Sequence, residues 1–168
     1  MFVLDTDVIS NLRRRNPNPA LLRWIEETGW PELATTVTTV MEITYGIEEA
    51  RRTNPAVAEA VEQWLRDFLA VGAPQVFPLD VEAAQTLGRM YAMPGLKRFL
   101  VTSPAARQAK TGADLAIAAI AITRQAVVAT NNVADFASIH RHLPLPGLLN
   151  PFTGEWHVPA VETAGSGS

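Results

Sequence analysis

The chain has 168 residues, 48% of them hydrophobic, with 14 Lys and Arg against 17 Asp and Glu, the size and balance of one compact domain with a substantial core. It contains no cysteine, which excludes a disulfide framework, a thiolate zinc site and a thiol nucleophile and leaves chemistry to carboxylates, hydroxyls and imidazoles. A net charge of -3 argues against a general coat for nucleic acid.

Phe2 to Leu4 is an apolar run closed by Asp5, and Val8, Ile9 and Leu12 follow at helical spacing, so a buried strand feeds a helix with Thr6 or Asp7 as its N-cap. Pro17 and Pro19 break the chain before a second helix through Leu21, Leu22, Trp24 and Ile25 that stops near Gly29. Leu33 to Val37, small and β-branched, predicts a strand. Thr39 then precedes a helix running to about Arg52. Pro55 opens another, with Val57, Val61, Trp64, Leu65, Phe68 and Leu69 on one face, ending at Gly72. Val76 to Leu79 reads as a third strand, and Asp80 caps a helix from Val81 to about Met93, where Pro94 and Gly95 interrupt it. Thr111 to Gln125 is apolar nearly all round, which predicts a central buried helix. Ala126 to Thr130 is the next strand, Asn131 to His142 a loop or short helix, and Leu148 and Leu149 an edge strand. Alternating strands and helices imply a mostly parallel sheet with helices on both faces.

The longest uninterrupted apolar run, Leu115 to Ile122, is far short of the ~20 residues of a spanning helix, and Met1 to Leu4 is too short for a signal core. The expectation is a soluble cytoplasmic protein with no membrane partner, one domain over residues 1–158, and a flexible tail over 159–168 that is partly a cloning remnant.

Charge is unevenly spread. Residues 1 to 82 are net -6 and residues 83 to 168 net +3, with no acid between Glu82 and Asp114. In an open parallel sheet, ligands bind beyond the carboxyl ends of the strands. Four acids sit at such corners: Asp5, Glu42, Asp114 and Asp135, with Asp7 nearby. Clustered carboxylates repel and desolvate one another unless protonated or neutralised by a cation, and oxygen ligands without sulfur select Mg²⁺ or Mn²⁺. Such ions suit phosphoryl chemistry. Taken singly, Thr39 with Glu42 and Thr111 with Asp114 also fit N-terminal capping boxes. Asp5 resists that reading, because a charge abutting a buried strand must be paired.

LDTDVIS at 4–10, MEITYGIEEA at 41–50, GADLAIAAIA at 112–121, ATNNVADF at 129–136 and a closing NPF at 150–152 together resemble the PIN-domain ribonucleases, in particular the VapC-type toxins of bacterial toxin–antitoxin pairs. The motifs fall in order over residues 2 to about 152. The resemblance implies a three-layer α/β/α PIN-like fold and an Mg²⁺-dependent endoribonuclease acting on tRNA or another structured RNA. It also implies a homodimer restrained by a small VapB-like antitoxin, within a larger complex that meets DNA through the antitoxin. Residue by residue, Asp5, Glu42 and Asp114 take the first three acidic positions, with Asp5 and Asp114 as direct metal ligands. The fourth is Asp135 or the amide of Asn132, with Asp135 preferred for its charge. Asp7 is read as a cap and supporting group, and Thr130 and Asn131 as shaping the site. One or two ions would generate hydroxide for in-line attack on a phosphodiester, leaving a 5′-phosphate, with Glu42 able to orient the water.

Arg13, Arg14 and Arg15 end the first helix, where cations meet its dipole, and are also placed to contact RNA phosphates. Lys97, Arg98 and Lys110 in the acid-free segment are the better candidates for gripping RNA, against an ordinary solvated loop. Trp24 and Trp64 read as core and Trp30 and Trp156 as open to stacking; His140 and His142 flank Arg141 as surface groups. Two alternatives stand beside the ribonuclease. Asp5, Thr6 and Asp7 resemble the first motif of haloacid-dehalogenase-like phosphatases, which also need a later Lys and a paired acidic motif; here the only lysines are Lys97 and Lys110, and no adjacent acids follow Asp114. A non-catalytic PIN-like binding module is the other.

Overall fold

A computed structural model describes residues 1–72, 74–100 and 112–161. Among these, six strands form one sheet in the order β3-β2-β1-β4-β5-β6: β1 (Phe2–Leu4), β2 (Leu33–Thr36), β3 (Gln75–Phe77), β4 (Val127–Ala129), β5 (Leu148–Asn150) and β6 (Glu155–Val158). The first five pair in parallel and β6 returns antiparallel along β5. The helices are α1 (Thr6–Leu12), α2 (Pro19–Thr28), α3 (Val37–Arg51), α4 (Pro55–Ala70), α5 (Val81–Ala92), α6 (Ala113–Thr123) and α7 (Val133–His140).

β1, β2, β4 and β5 are short and largely buried on both sides, as their apolar runs require. Successive residues point to opposite faces, so Val3, Ala34, Val128 and Leu148 join the core under α5, α6 and α7. Leu4, Leu33 and Ala129 join the core under α1 to α4. Helix α6 is buried over Leu115–Ala121, which explains an apolar surface without a polar face. The expected layered α/β fold with a mostly parallel sheet is what forms, and no helix among the described residues is long and apolar enough to cross a membrane.

Several local expectations are corrected. Asp5, neither Thr6 nor Asp7, caps α1, its carboxylate accepting the Thr6 N–H at 2.7 Å. Thr36 caps α3 by accepting from Thr39 N, because the strand runs into the helix without a loop; the Thr39 and Glu42 capping box does not form. Gly112, left-handed at φ 70°, precedes α6 with no side-chain cap, and Thr111 lies outside the described residues. Leu148 and Leu149 are interior to the sheet. The edge on that side is the unforeseen β6, four residues long and largely exposed.

Chain order places β2 and β3 on one side of β1 and β4 to β6 on the other, so the connections diverge between β1 and β4. The crevice of such a sheet opens at that point, beyond the carboxyl ends of the two strands. Asp5 follows one strand and Thr130 the other.

Candidate functional site

Asp5 is 4% exposed. Its backbone N–H donates to Ala129 O at 3.0 Å, continuing the β1–β4 pairing by one residue and holding the side chain at the divergence point. One carboxylate oxygen accepts from Thr6 N and the other from the Thr130 hydroxyl at 2.6 Å. Despite these donors, burial pushes the Asp5 carboxyl well above its ordinary range, and the neighbouring Asp7 and Asp114 push in the same direction. The charges that raise it, Asp7 and Asp114, are both negative.

Asp7, the second residue of α1, is raised chiefly by burial. Its Oδ2 accepts from Asn131 N at 2.9 Å, while Oδ1 is buried with no hydrogen-bond partner among the described residues. An unpaired buried carboxylate oxygen is costly. Asp7 is therefore no cap; it reaches across to the turn after β4.

That turn supplies the rest. Thr130, fully buried, donates to Asp5 and accepts from Asn132 N at 2.8 Å. Asn132 Nδ2 lies 3.4 Å from Asp114 Oδ2 and 3.2 Å from Asp135 Oδ2, so the amide joins an acid at the start of α6 to one in the first turn of α7. Asp135 also accepts from Arg98 at 3.1 Å. On the far side, Thr6 donates to Glu42 Oε2 at 2.5 Å, with Thr39 Oγ1 at 3.4 Å.

The structure thus gathers Asp5, Asp7 and Asp114 at the centre, with Glu42 joined through Thr6 and Asp135 through Asn132. Among the described residues no three acids or histidines form a ready-made metal cage. The donor set nevertheless fits a hard divalent cation: carboxylate and amide oxygens, one buried carboxylate oxygen without a partner, and charge that is like-signed around Asp5. Asp5 and Asp114 would hold it, with Asp7 adjacent.

From Glu42 a groove of about 330 Å³ runs between α1, α3 and α4, with Ser10 and Arg13 beside an apolar floor that includes Ile43, Ile47 and Val61. Arg13, Arg14 and Arg15 are exposed at the end of α1, and Lys97 and Arg98 are exposed on the 3₁₀ turn Pro94–Phe99; Lys110 lies outside the described residues. Trp24 packs edge-on against Phe2 and Trp64 stacks on Phe68. His140 Nδ1 accepts from Leu145 N, a structural duty. Two site residues went unassigned in the sequence: Thr6, which ties Glu42 to the Asp5 corner, and Asn150 of the NPF motif, whose Nδ2 donates to Asn131 Oδ1 at 3.3 Å. Their signal was position, beside Asp5 and at the end of a strand.

Residues 2–141 match the PIN domain family model. The chain is 33% identical over 138 residues to the plasmid stability protein StbB of Pseudomonas syringae pv. tomato, spanning 81% of this chain and 91% of that one. It is 29% identical over 144 residues to the VapC ribonuclease Y4jK of Sinorhizobium fredii, spanning 81% and 90%. The solved structure of FitAB bound to an IR36 DNA fragment superimposes with a TM-score of 0.63 at 24% identity, covering 94% of this chain and 99% of that one, a likeness of fold.

Proposed function

The chain belongs to the PIN domain family, and from that premise we propose that it is a metal-dependent endoribonuclease, the VapC-type toxin of a toxin–antitoxin pair. The carrying observation is Asp5, a buried carboxylate at the crevice of a parallel sheet that faces Asp7 and Asp114. Carboxylates crowded in this way have a use in a site that takes up a cation. They have none in a neutral binding pocket, which disfavours the non-catalytic module. The phosphatase reading draws no support from the relatives.

Asp5 and Asp114 would hold Mg²⁺ or Mn²⁺. When bound, the ion supplies positive charge against the developing charge at phosphorus and lowers the pKa of water near the scissile bond. The chain's own residues do the rest. Thr130 and the Thr6 N–H orient Asp5. Asn132 orients Asp114 and ties in Asp135 as the fourth acid. Glu42, steadied by the Thr6 hydroxyl, is placed to accept a proton from attacking water. The exposed Arg13, Arg14, Arg15, Lys97 and Arg98 are the RNA-phosphate contacts of this reading, with Arg13 lining the groove and Arg98 paired with Asp135.

The groove leading from Glu42 suits a restraining antitoxin: its floor is apolar and Arg13 and Glu42 stand as opposite charges at its polar end. FitAB, a structural neighbour, was solved bound to DNA, and the same assembly is proposed here, with a homodimeric toxin working in the cytoplasm on structured RNA such as tRNA.

The test is cleavage of an RNA pool by the purified chain with Mg²⁺, Mn²⁺ or a chelator, beside Asp5→Asn and Asp114→Asn. We expect cleavage that requires the ion and falls roughly 10²-fold or more in either variant. Cleavage that persists in chelator, or undiminished in both variants, overturns the reading.

A further inference from the structure

Asn150 ends β5 and is 8% exposed. Its Oδ1 accepts from Phe152 N at 2.9 Å, so the backbone donor identifies that atom as the oxygen and leaves Nδ2 as the group facing Asn131. The Asn131 atom 3.3 Å away must then be its acceptor, Oδ1. The amide orientation of Asn131 follows: its oxygen is taken by Asn150, and its NH₂ belongs to the other side of an exposed residue at the crevice rim.

The same residue is held at its backbone, where Asn131 N donates to Asp7 Oδ2. Thr130 and Asn132 on either side of it contact Asp5 and Asp114. Each of three successive residues after β4 therefore contacts one of the acids, and Asn150 grips the middle one from the neighbouring strand. Its backbone carbonyl accepts from Thr153 N and Gly154 N, so the grip is anchored in the β5–β6 turn.

We propose that Asn150 is a positioning residue: it fixes the Thr130–Asn132 turn against the acids and sets the Asn131 amide so that its NH₂ donates to an oxygen of the RNA backbone at the crevice rim. This rests on the ribonuclease reading above for its substrate but not for its geometry. Asn150→Ser keeps an oxygen that can accept from Phe152 N and is too short to reach Asn131. Asn150→Asp keeps the same turn and reverses the contact, because a carboxylate can only accept, so Asn131 must rotate its amide.

Two measurements test it. In hydrogen exchange, Asn150→Ser speeds exchange of the Asn131 and Asn132 backbone amides about tenfold while Leu4 and Val128 keep wild-type rates. Unchanged rates at Asn131 and Asn132 overturn the hold. In RNA cleavage, both variants lower kcat/KM about tenfold, the size of effect typical of groups that orient a metal ligand. In an Asn131→Ala background neither lowers it further, since the effect passes through that side chain. Additive losses overturn the proposed route. If the wild-type chain cleaves no RNA, the ribonuclease reading fails, and exchange alone upholds or overturns the hold of Asn150 on the turn.

Discussion

Thr130 hands its hydroxyl hydrogen to Asp5, Oγ1 to Oδ2 at 2.6 Å, across 125 residues of sequence. The same oxygen accepts the Asn132 N–H at 2.8 Å, so one buried hydroxyl orients an acid of the first motif and the turn of the last. Thr130→Val keeps the shape and removes both bonds. A buried carboxylate that loses a donor costs about 1 to 3 kcal/mol. Urea denaturation should show a loss of that size, with Thr130→Ser close to wild type. A loss in Thr130→Ser as large as that in Thr130→Val would overturn the assignment, because Ser keeps the hydroxyl and lacks only the methyl that Val retains.

Burial raises both Asp5 and Asp7, and each in its ionised form is unwelcome in the metal-free fold. In the unfolded chain an aspartate ionises near pH ~3.9. Above that pH, and up to the raised values, the folded protein keeps protons that the unfolded chain has released. Stability contributed by these groups is therefore present at low pH and lost as pH rises. Asp7→Asn removes one charge and retains an oxygen for the Asn131 N–H. It should raise the metal-free Tm at pH 7 and flatten its decline between pH 4 and 7, as read by thermal unfolding. Saturating Mn²⁺ should offset the decline in the wild type, by about 2.7 kcal/mol at 100 times Kd. A lower Tm for Asp7→Asn at pH 7 without metal would contradict the assignment.

Asn132 and Asp135 divide the fourth position between them. Asn132 touches Asp114, whereas Asp135 reaches it only through that amide and spends its other oxygen on Arg98. Asn132→Ala should reduce kcat roughly tenfold more than Asp135→Asn. Because the Arg98–Asp135 pair is well exposed, Asp135→Asn should change stability by no more than about 1 kcal/mol. Steady-state cleavage and denaturant titration give the two numbers. A greater kcat loss in Asp135→Asn would move the principal role to the acid.

How much of this was legible in the sequence follows from where the signals lie. β1 and Asp5 stood out because an apolar run ends in a charge, and α6 because Leu115–Ala121 carries no polar face. The acids were legible as corner residues of an alternating α/β pattern. Caps were not: Thr36 and Thr39 stand three residues apart where β2 meets α3, and which caps the helix depends on where β2 stops, a matter of pairing with Val3 and its neighbours rather than of local preference. The partners of Asp7 and Glu42 were equally hidden. They lie on elements brought together by strand order, Asp7 and Asn131 being 124 positions apart in sequence and Thr6 and Glu42 36 apart. β6 was missed because it is an exposed edge only four residues long, so the alternation of Glu155, Trp156, His157 and Val158 is too brief to stand out from a loop.

Lys97 and Arg98 are neighbours on one turn, yet Arg98 already has a carboxylate partner. RNA that binds Arg98 must compete with Asp135, so the gain per phosphate is smaller there than at Lys97, for which the described residues supply no carboxylate partner. For a single strand, each phosphate contact contributes about 0.7 to the slope of log affinity against log salt. Lys97→Ala should lower the slope by about that amount, and Arg98→Ala by less. Asp135→Asn releases Arg98 for phosphate and should tighten RNA binding while it lowers kcat, a split that separates its two duties. Fluorescence anisotropy of a labelled RNA in chelator, from low to moderate salt, reads the binding terms without cleavage. A slope unchanged by either basic substitution would remove this turn from the RNA-binding surface.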